Sequence, residues 1–513
     1  MSEVPITIAA FLLAAILLQS LVLAQTTVNQ STQSIQLCCV ALSAAIGSSK
    51  VFSPNTAGYN ASATSYFAQQ EGELAPYCYV KPTTSQDVST LVRTLSLLNL
   101  GRFQSPVCPF AVRSGGHHTV VGIANIHNGI TIDLGNINQT TLNSNKSIAS
   151  VGAGARWGSV YDTLVPEGLA VLGGRESGIG VGGFTTGGGI SYFGAQYGFG
   201  CDLVSNFEIV LADGSINNVN ARQNPGLFTA LKGGSNNFGI VTRFDMKTFA
   251  LGQYFGGSNY YLGSETPQLI DAFTAFTANP NFDIKAAAFL SILYTSQEGF
   301  LSLVTFSYAE AISNPPVFAN FTAIPPILSQ TQISTLDVFA EELGGANTPD
   351  NLRQTSITAT VRPVASLLQQ IYVLWNETVP LIFSAQNLVV SLTMQPIAGD
   401  FLKAGPLNGG NVLGLDPSES PLVVLTFTIQ YTSESSDALI ESTSRDLFQK
   451  IEALAAKSGN LNAWFYLNYA DVMQDVIASY GAANVQKLKS TSASVDPFGF
   501  FQTVQPGGFK VPK

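Results

Sequence analysis

Two of the three histidines in this 513-residue chain stand side by side behind a pair of glycines. The stretch "FAVRSGGHHTVVG" (110–122) holds His117 and His118, and His127 follows soon after. An imidazole can act as a nucleophile, a proton acceptor or a metal ligand. These histidines lack acidic partners at the spacing of a zinc site, so we predict no metal. The glycines indicate a tight loop whose backbone N–H groups can face a ligand.

A second glycine-rich run, "GGRESGIGVGGFTTGGGISYFGAQYGFGCD", covers residues 173–202. Glycine at this density lets the backbone approach a large ligand, and a flat, extended molecule with a pyrophosphate would fit. Either run alone is equally typical of ordinary turns in a β-rich domain. Gly178, Gly180 and Gly183 formally spell G-x-G-x-x-G. We do not predict a nicotinamide site, because "FTTGGG" is not expected to begin a helix cleanly and Asp202 precedes a strand.

The elements around these runs mix helices and short strands over residues 75–250. The stretch "PTTSQDVSTLVRTLSLL" predicts a helix that Ser85 caps, and "RWGSVYDTLVPEG" predicts a second, amphipathic helix. We predict strands in "FAVR", "GITIDLG", "SIASVGAGA" and "LAVLGG", and a hairpin in "NFEIVLADGSINNVN" with its turn at Asp213 and Gly214. From residue 251 to 464 longer strands alternate with separate helices, which is typical of an antiparallel sheet backed by helices.

The composition suggests a secreted protein rather than a membrane protein. Hydrophobic residues make up 46% and charged residues 11% of the chain, and the mean hydropathy is +0.24. Only one apolar run is long enough to span a bilayer, and it stands at the very start. The formal net charge of −10 argues against nucleic acid or an anionic membrane as a partner.

The first residues predict a signal peptide over 1–24. Their apolar core ends in Val22-Leu23-Ala24, with small residues where signal peptidase cleaves. An uncleaved anchor stays the alternative, because Glu3 is present and no Lys or Arg precedes the core. An export signal together with six N-x-S/T sequons predicts an extracellular glycoprotein. The sequon asparagines are Asn29, Asn60, Asn138, Asn145, Asn320 and Asn376.

Cysteine placement predicts disulfides near the N-terminus. An oxidising compartment would pair some of the cysteines that precede residue 110. We expect a bridge from the pair Cys38 and Cys39 to Cys108 or Cys78, and the sequence leaves the pairing open. Cys201 is expected to be a buried thiol.

Several motifs in order resemble the FAD-linked oxidoreductases of the vanillyl-alcohol oxidase type, and more closely the berberine-bridge-enzyme-like branch in its fungal secreted form. They include "VRSGGHH", "VGAGARWGSVYDTL", "VGGFTTGGGISYFGAQYGFGCD", "LKGGSNNFGIVT" and "YLNYAD…VDPFGFFQ". The resemblance implies an α+β, two-domain fold with a discontinuous, PCMH-type FAD-binding domain. That domain would comprise 25–250 (core about 74–251), completed by 465–513. Residues 251–464 would form a substrate domain, an antiparallel sheet with helices, that roofs the isoalloxazine.

The resemblance also assigns the cofactor. The family's R-S-G-G-H histidine, here His117, carries FAD covalently through the 8α-methyl group. Many relatives add a cysteinyl bond from G-x-C-x-x-V-G, but this chain has "GRESGIG", with Glu176 or Ser177 at the cysteine position. We therefore predict a single covalent bond. The implied cofactor contacts are Arg113, Ser114, Gly115, Gly116, His117, His118, Ile179, Gly182, Gly183, Gly187, Gly188, Gly189, Ile240 and Asn468, although His118 is expected to point elsewhere than the attachment point.

Candidate catalytic residues follow from the same resemblance. Oxidation at carbon needs a hydride acceptor and a base for the O–H or N–H proton. The second tyrosine of Y-x-N-Y, here Tyr469, is that base in carbohydrate-oxidising members, and Tyr466 and Gln395 are weaker candidates. If "YLNYAD" is a strand, Tyr466 and Asn468 share one face and Tyr469 takes the other. The alternative for these tyrosines is a purely structural core role.

The predicted reaction is oxidation of a C–OH or C–N group in a sugar or other small molecule, with hydride to FAD and O2 reduced to H2O2. One alternative is a dehydrogenase that passes electrons to a non-oxygen acceptor. Ile179 mildly favours it, because the family places this side chain near flavin C4a, where bulk could hinder dioxygen. The others are a tailoring oxidase of secondary metabolism and a non-catalytic, glycosylated binding protein that keeps the fold.

Overall fold

The computed structural model describes residues 35–346 and 352–512 of the chain. The predicted signal peptide and the sequon at Asn29 lie outside these residues. Strands and helices are both abundant, which confirms the α+β class. In the N-terminal part the strands are β1 Val51–Phe52, β2 Cys78–Val80, β3 Phe110–Arg113, β4 Ile130–Asp133, β5 Thr140–Leu142, β6 Ile148–Gly152, β7 Leu169–Ala170, β8 Val204–Val210, β9 Ile216–Val219, β10 Ile240–Lys247 and β11 Phe249–Ala250.

Two sheets built from these strands position the glycine-rich loops. The first has the order β1-β2-β4-β3, with β2 and β3 parallel to β4, and the second has the antiparallel order β5-β6-β10-β8-β9. The predicted hairpin at Asp213 and Gly214 is the β8–β9 pair. The helices of this part are α1 (35–46), α2 Ala57–Ala63, α3 Gln69–Gly72, α4 Ser85–Leu98, α5 Trp157–Leu164, α6 Val181–Thr186, α7 Gly194–Tyr197 and α8 Pro225–Ala230.

The middle of the chain forms a nine-stranded sheet in its described residues, with the order β15-β12-β14-β13-β18-β19-β17-β20 and β16 paired to β12. Its pairings are antiparallel, as predicted. The strands are β12 Tyr254–Leu262, β13 Ala286–Thr295, β14 Gly299–Tyr308, β15 Leu328–Ser329, β16 Gln332–Ser334, β17 Arg353–Val361, β18 Val389–Ile397, β19 Leu422–Tyr431 and β20 Leu461–Asn462.

Helices cover one face of this sheet, and the other face packs against the N-terminal part of the chain. Leu392 and Met394 of β18 belong to an apolar core shared with the covering helices. Gln395, which follows Met394, points to the opposite face because side chains alternate along a strand. The helices after residue 265 are α9 Thr266–Thr277, α10 Ala319–Thr322, α11 Leu336–Ala346, α12 Ala365–Thr378, α13 Ala404–Leu407, α14 Asp437–Lys457, α15 Val476–Ser479, α16 Ala482–Val495 and α17 Phe500–Thr503.

The C-terminal segment returns to the first part of the chain. Trp464, Tyr466 and Phe501 are buried in the core that β3, β4, β8 and β10 share, and the core of the nine-stranded sheet is separate. The Phe110 N–H donates to the Val504 carbonyl at 2.9 Å. The first core also includes residues from the other face of the nine-stranded sheet, such as Phe289 and Val424. The predicted domain bounds stay predictions.

Three local expectations were wrong. Thr84, not Ser85, caps α4, because its hydroxyl accepts from the Asp87 N–H. "VGGFTT" does form a short helix, α6, since burial of Val181 and Phe184 offsets the poor helix propensity of its glycines. "YLNYAD" is no strand: Leu467–Tyr469 form a 3₁₀ turn closed by a hydrogen bond from the Tyr469 N–H to the Tyr466 carbonyl.

The cysteine predictions are confirmed. Cys38 is bonded to Cys108 and Cys39 to Cys78, so both bridges link α1 to the first sheet region. Cys201 is a buried thiol. Within the described ranges, no helix is both long enough and apolar enough to cross a membrane.

Candidate active site

The two glycine-rich loops interlock at the end of β3. A Cβ on Gly115 would lie 2.5 Å from the Gly180 Cα, so neither position has room for a side chain. The Ser114 hydroxyl donates to the Ala153 carbonyl at 2.7 Å and accepts from the Gly182 N–H at 3.1 Å. The loops therefore form one rigid wall.

Arg113 fixes the start of this wall from behind. Its guanidinium donates to the carbonyls of Ser62 and Ser65 and packs 3.9 Å from the Tyr66 ring centroid. Arg113 thus supports the loop without lining the space in front of it.

A large cavity of about 1270 Å³, counted with its open mouth, lies in front of the wall. Segments from both ends of the chain line it, including most of the predicted site: Ser114, Gly115, Gly116, His117, His118, Ile179, Gly182, Gly183, Ile240, Tyr466, Asn468 and Tyr469.

Three predicted glycines lie away from the cavity lining. A Cβ on Gly187 would meet the Asn468 side chain at 2.1 Å. Gly188 and Gly189 have φ values of 111° and 89°, which few other residues adopt, and pack against Leu413 and Phe184. These glycines shape the chain behind the cavity.

His117 is neutral and faces the cavity. Its ring stacks on Phe67 with centroids 3.9 Å apart, and its Nε2 lies 3.9 Å from a Glu176 carboxylate oxygen. Burial, together with the positive charge of Arg156 and the neighbouring His118, lowers the pKa of His117 to about 3. A neutral imidazole retains a lone pair and can act as a nucleophile.

His118 uses both ring nitrogens inside the protein. Its Nδ1 accepts from the Val120 N–H at 3.0 Å, so Nε2 carries the proton and donates to the Leu467 carbonyl at 3.2 Å. His118 therefore ties the loop to the C-terminal segment.

The two tyrosines of the 3₁₀ turn have different roles. Tyr466 accepts hydrogen bonds from the Ile190 N–H (2.9 Å) and the Asn468 amide (3.0 Å), and burial raises its pKa. Tyr469 accepts from Arg175 Nη2 at 2.8 Å and donates to Gln395 Oε1 at 3.2 Å. Both rings line the cavity and meet edge to face. The hypothesis of a strand, which predicts that the two tyrosines lie on opposite faces, was therefore wrong.

Comparisons with known proteins agree with this geometry. Residues 76–220 match the FAD binding domain family. The chain is 36% identical over 483 residues to the FAD-dependent monooxygenase sdcF of Emericella nidulans, covering 93% of this chain and 98% of that one. It is 34% identical over 485 residues to the FAD-dependent monooxygenase drtC of Aspergillus calidoustus, covering 94% and 91%. The chain belongs to the FAD-linked oxidoreductases with this FAD binding domain.

Solved structures share the fold of this oxidoreductase. The xylooligosaccharide oxidase from Myceliophthora thermophila matches with a TM-score of 0.72 and 21% identity, covering 92% of this chain and all of that one (100%). The 6-hydroxy-D-nicotine oxidase from Arthrobacter nicotinovorans matches with a TM-score of 0.72 and 17% identity, covering 90% and 97%. The predicted fold class is confirmed.

The residues of the oxidoreductase fit FAD. A Cβ on Gly183 would meet nothing within 4 Å, so the backbone there faces open space that a bound ligand can fill. Glycine backbone next to a large cavity is what a flat cofactor with a pyrophosphate requires. His117 stands in the same cavity, with a neutral imidazole suited to attachment.

Sequence reasoning missed Arg175, which completes the polar cluster of the oxidoreductase. Its Nη2 donates to Tyr469 and, at 3.0 Å, to Gln395 Oε1, and its guanidinium lies 4.3 Å from the Phe289 ring centroid. Burial alone would lower the pKa of Arg175, but Tyr469, Tyr192 and Glu176 outweigh it and raise the pKa. The available signal was a lone cation inside a glycine run, "GGRESGIG".

Gln395 stands one layer behind the cavity lining. It reaches the site through its hydrogen bonds to Arg175 and Tyr469. The structure thus brings together Tyr469 and Gln395, 74 residues apart in the chain, as the resemblance implied.

Proposed function

We propose that this oxidoreductase removes a hydride and a proton from a C–OH or C–N group of a small organic molecule. FAD, when bound, supplies the hydride acceptor. Electrons then pass to O2, so that one substrate oxidised gives one carbonyl or imine and one H2O2. The observation that supports the proposal is the convergence of His117 and Tyr469, from opposite ends of the chain, on one cavity.

Each polar residue has a defined task in this proposal. Tyr469, in its ionised form, accepts the substrate proton. The Arg175 guanidinium suits that form because it only donates hydrogen bonds. Gln395 accepts from Arg175, and it also accepts from Tyr469 when that hydroxyl is protonated. His117, neutral and oriented by Phe67, provides the covalent attachment for the cofactor.

A second candidate function comes from the relatives. Those of Emericella nidulans and Aspergillus calidoustus are named FAD-dependent monooxygenases, and a monooxygenase would place one oxygen atom of O2 in its product. The 34–36% identity over almost the whole chain favours this candidate. The third candidate function is a dehydrogenase that does not pass electrons to O2. Ile179 favours it because its side chain lines the cavity.

The attachment of FAD is tested first. The purified protein is denatured in acid, and the visible spectra of precipitate and supernatant are compared. We expect yellow to stay with the protein and to map to the peptide that contains His117. The variant His117→Ala should release the colour, whereas the exposed His127→Ala should retain it. Colour that washes out of the wild type would overturn the covalent bond, and a colourless native protein would overturn the oxidoreductase reading.

The fate of O2 separates the three reactions. Candidate sugars, alcohols, phenols and amines are incubated under ¹⁸O2, and product mass and H2O2 are measured. An oxidase gives H2O2 and an unlabelled product. A label in the product would establish the monooxygenase, and turnover with a dye but not with O2 would establish the dehydrogenase.

We also propose that the protein is exported and carries N-glycans. The five sequon asparagines within the described residues are all exposed, which an oligosaccharide requires: Asn60, Asn138, Asn145, Asn320 and Asn376. Expression in a eukaryotic host and treatment with an N-glycan-cleaving enzyme should lower the mass of the secreted protein. An unchanged mass, or protein retained in the cell, would contradict the proposal.

A further inference from the structure

We propose that Arg175 binds an anionic oxygen of the substrate, so that the molecule oxidised is an ionised organic acid. The inference rests on the proposed function, because it concerns the substrate end of the same cavity. It deepens that proposal by naming a charge that the substrate must carry.

Arg175 is a cation that lacks an ion pair within the described residues. In the structure its two hydrogen-bond partners are uncharged, because the Tyr469 hydroxyl donates to Gln395. The ionised Tyr469 of the proposed reaction would be an anionic partner of Nη2 alone. Other arginines away from the cavity do have carboxylates: Arg353 lies 2.8 Å from Glu73, and Arg243 lies 2.8 Å from Asp245. A charge removed from water is unfavourable unless it is paired. An ion pair is not general, since among the described residues Arg156 donates only to backbone carbonyls, so it is the free donors of Arg175 that point to an anionic ligand.

The guanidinium keeps donors available for that ligand. Both described hydrogen bonds of Arg175 use Nη2, whereas Nε and Nη1 have no partner among the described residues. Arg175 also lines the cavity. Each of these N–H groups can donate one charge-assisted hydrogen bond to an anionic oxygen of a ligand in the cavity.

The side chain is held in place before a ligand binds. The Phe289 ring lies against its guanidinium with 4.3 Å between centroid and Cζ, and Tyr192 packs edge to face on Phe289 at 5.8 Å. A fixed guanidinium loses little freedom on binding. Its Nη2 also holds Tyr469, so the carbon that is oxidised lies close to the acidic group in the substrate.

Benzoate and benzamide provide a matched pair of probes with the same shape and different charge. Each is titrated into the complete FAD-loaded protein, followed by the visible flavin spectrum and in parallel by calorimetry. We expect saturable binding of benzoate, at least tenfold tighter than benzamide. Arg175→Met should weaken benzoate at least tenfold without changing benzamide, and Arg175→Lys should keep part of the preference. Arg222→Met, at an exposed arginine, should behave like the wild type.

Three results would overturn the inference: equal affinities for benzoate and benzamide in the wild type, an unchanged benzoate affinity in a folded Arg175→Met protein, or loss of FAD instead of benzoate in that variant. The last would place Arg175 at the cofactor. Calorimetry does not need the flavin. A colourless protein that still prefers benzoate through Arg175 would therefore support the inference while overturning the proposed function.

Discussion

Tyr466 and Tyr469 show how one short turn gives two identical side chains different chemistry. The hydroxyl of Tyr466 is occupied by the Ile190 N–H and the Asn468 amide, and burial raises its pKa. Tyr469 instead faces Arg175 and Gln395 at the cavity. At the scale of residues, the proposed proton transfer is therefore assigned to Tyr469, and Tyr466 positions the turn.

Replacing each tyrosine by phenylalanine separates these roles. We expect Tyr469→Phe to slow flavin reduction by the substrate about 10²–10⁴-fold, the usual contribution of a general base. Tyr466→Phe leaves the buried Ile190 N–H without an acceptor, while the Asn468 amide keeps the Phe184 carbonyl, and should cost about 1–3 kcal/mol of stability. Anaerobic stopped-flow absorbance and urea denaturation measure the two effects. Equal rates of reduction in Tyr469→Phe and the wild type would remove Tyr469 from the reaction.

The buried carboxyl group of Glu71 predicts that the stability of the fold depends on pH. Its carboxylate accepts from the N–H groups of Gly122 and Ala124, at 2.5 and 2.7 Å, yet burial raises its pKa to about 7. Because the folded pKa lies above that of the unfolded chain, its contribution to stability is complete below about pH 4.5 and is lost as the pH rises through 7. The change amounts to about 3 kcal/mol.

The variant Glu71→Gln should flatten this part of the pH profile. The free energy of unfolding, measured by urea at intervals from pH 4.5 to 8, should fall less steeply than in the wild type. Glu167→Gln, at a half-exposed surface carboxylate, is the control and should leave the slope unchanged. Parallel profiles for Glu71→Gln and the wild type would contradict the assignment.

At the scale of elements, the interlocked glycine loops are the feature that shapes the site. Gly115 and Gly180 touch through their backbones, whereas Gly183 faces open cavity. The loops therefore contain glycines of two kinds, those packed against other backbone and those that face the cavity.

Alanine substitutions distinguish the two kinds. Gly115→Ala should destabilise the protein because its Cβ would lie 2.5 Å from the Gly180 Cα. Gly183→Ala, in α6, should keep the stability of the FAD-free protein, since alanine favours a helix by up to about 1 kcal/mol. It should nevertheless lower FAD occupancy by occupying the cavity. Thermal melts and the flavin-to-protein absorbance ratio test both, and normal occupancy in Gly183→Ala would show that FAD does not approach this residue.

The same elements show which parts of the fold and of the site can be predicted from the sequence. Periodicity predicted α4, α5 and the β8–β9 hairpin because a regular apolar face repeats along each. It failed for α6 and for the turn at Leu467–Tyr469, where burial and tertiary hydrogen bonds override weak local preference. The resemblance of motifs pointed to His117 and Tyr469, which both line the cavity. Arg175 was missed because it belongs to no motif with a recognisable spacing. Its role arises only when β13, β18 and the C-terminal segment meet.

At the scale of the whole molecule, two disulfides tie the N-terminal helix α1 to the first sheet region. They close loops with sequence separations of 70 and 39 residues. Replacing Cys38 and Cys108 together by serine should lower the free energy of unfolding by about 2–5 kcal/mol, chiefly by freeing the unfolded chain. Urea denaturation measures the loss, and an unchanged midpoint and slope would show that this bridge does not stabilise the fold.

The cavity wall combines residues near position 115 with Tyr469 and Gln505, close to the end of the chain. A ribosome must therefore translate past Gln505 before a flavin can be enclosed. Chains terminated before Tyr466 should stay colourless however much FAD surrounds them. Yellow colour then reports that synthesis has passed the last residues of the cavity wall.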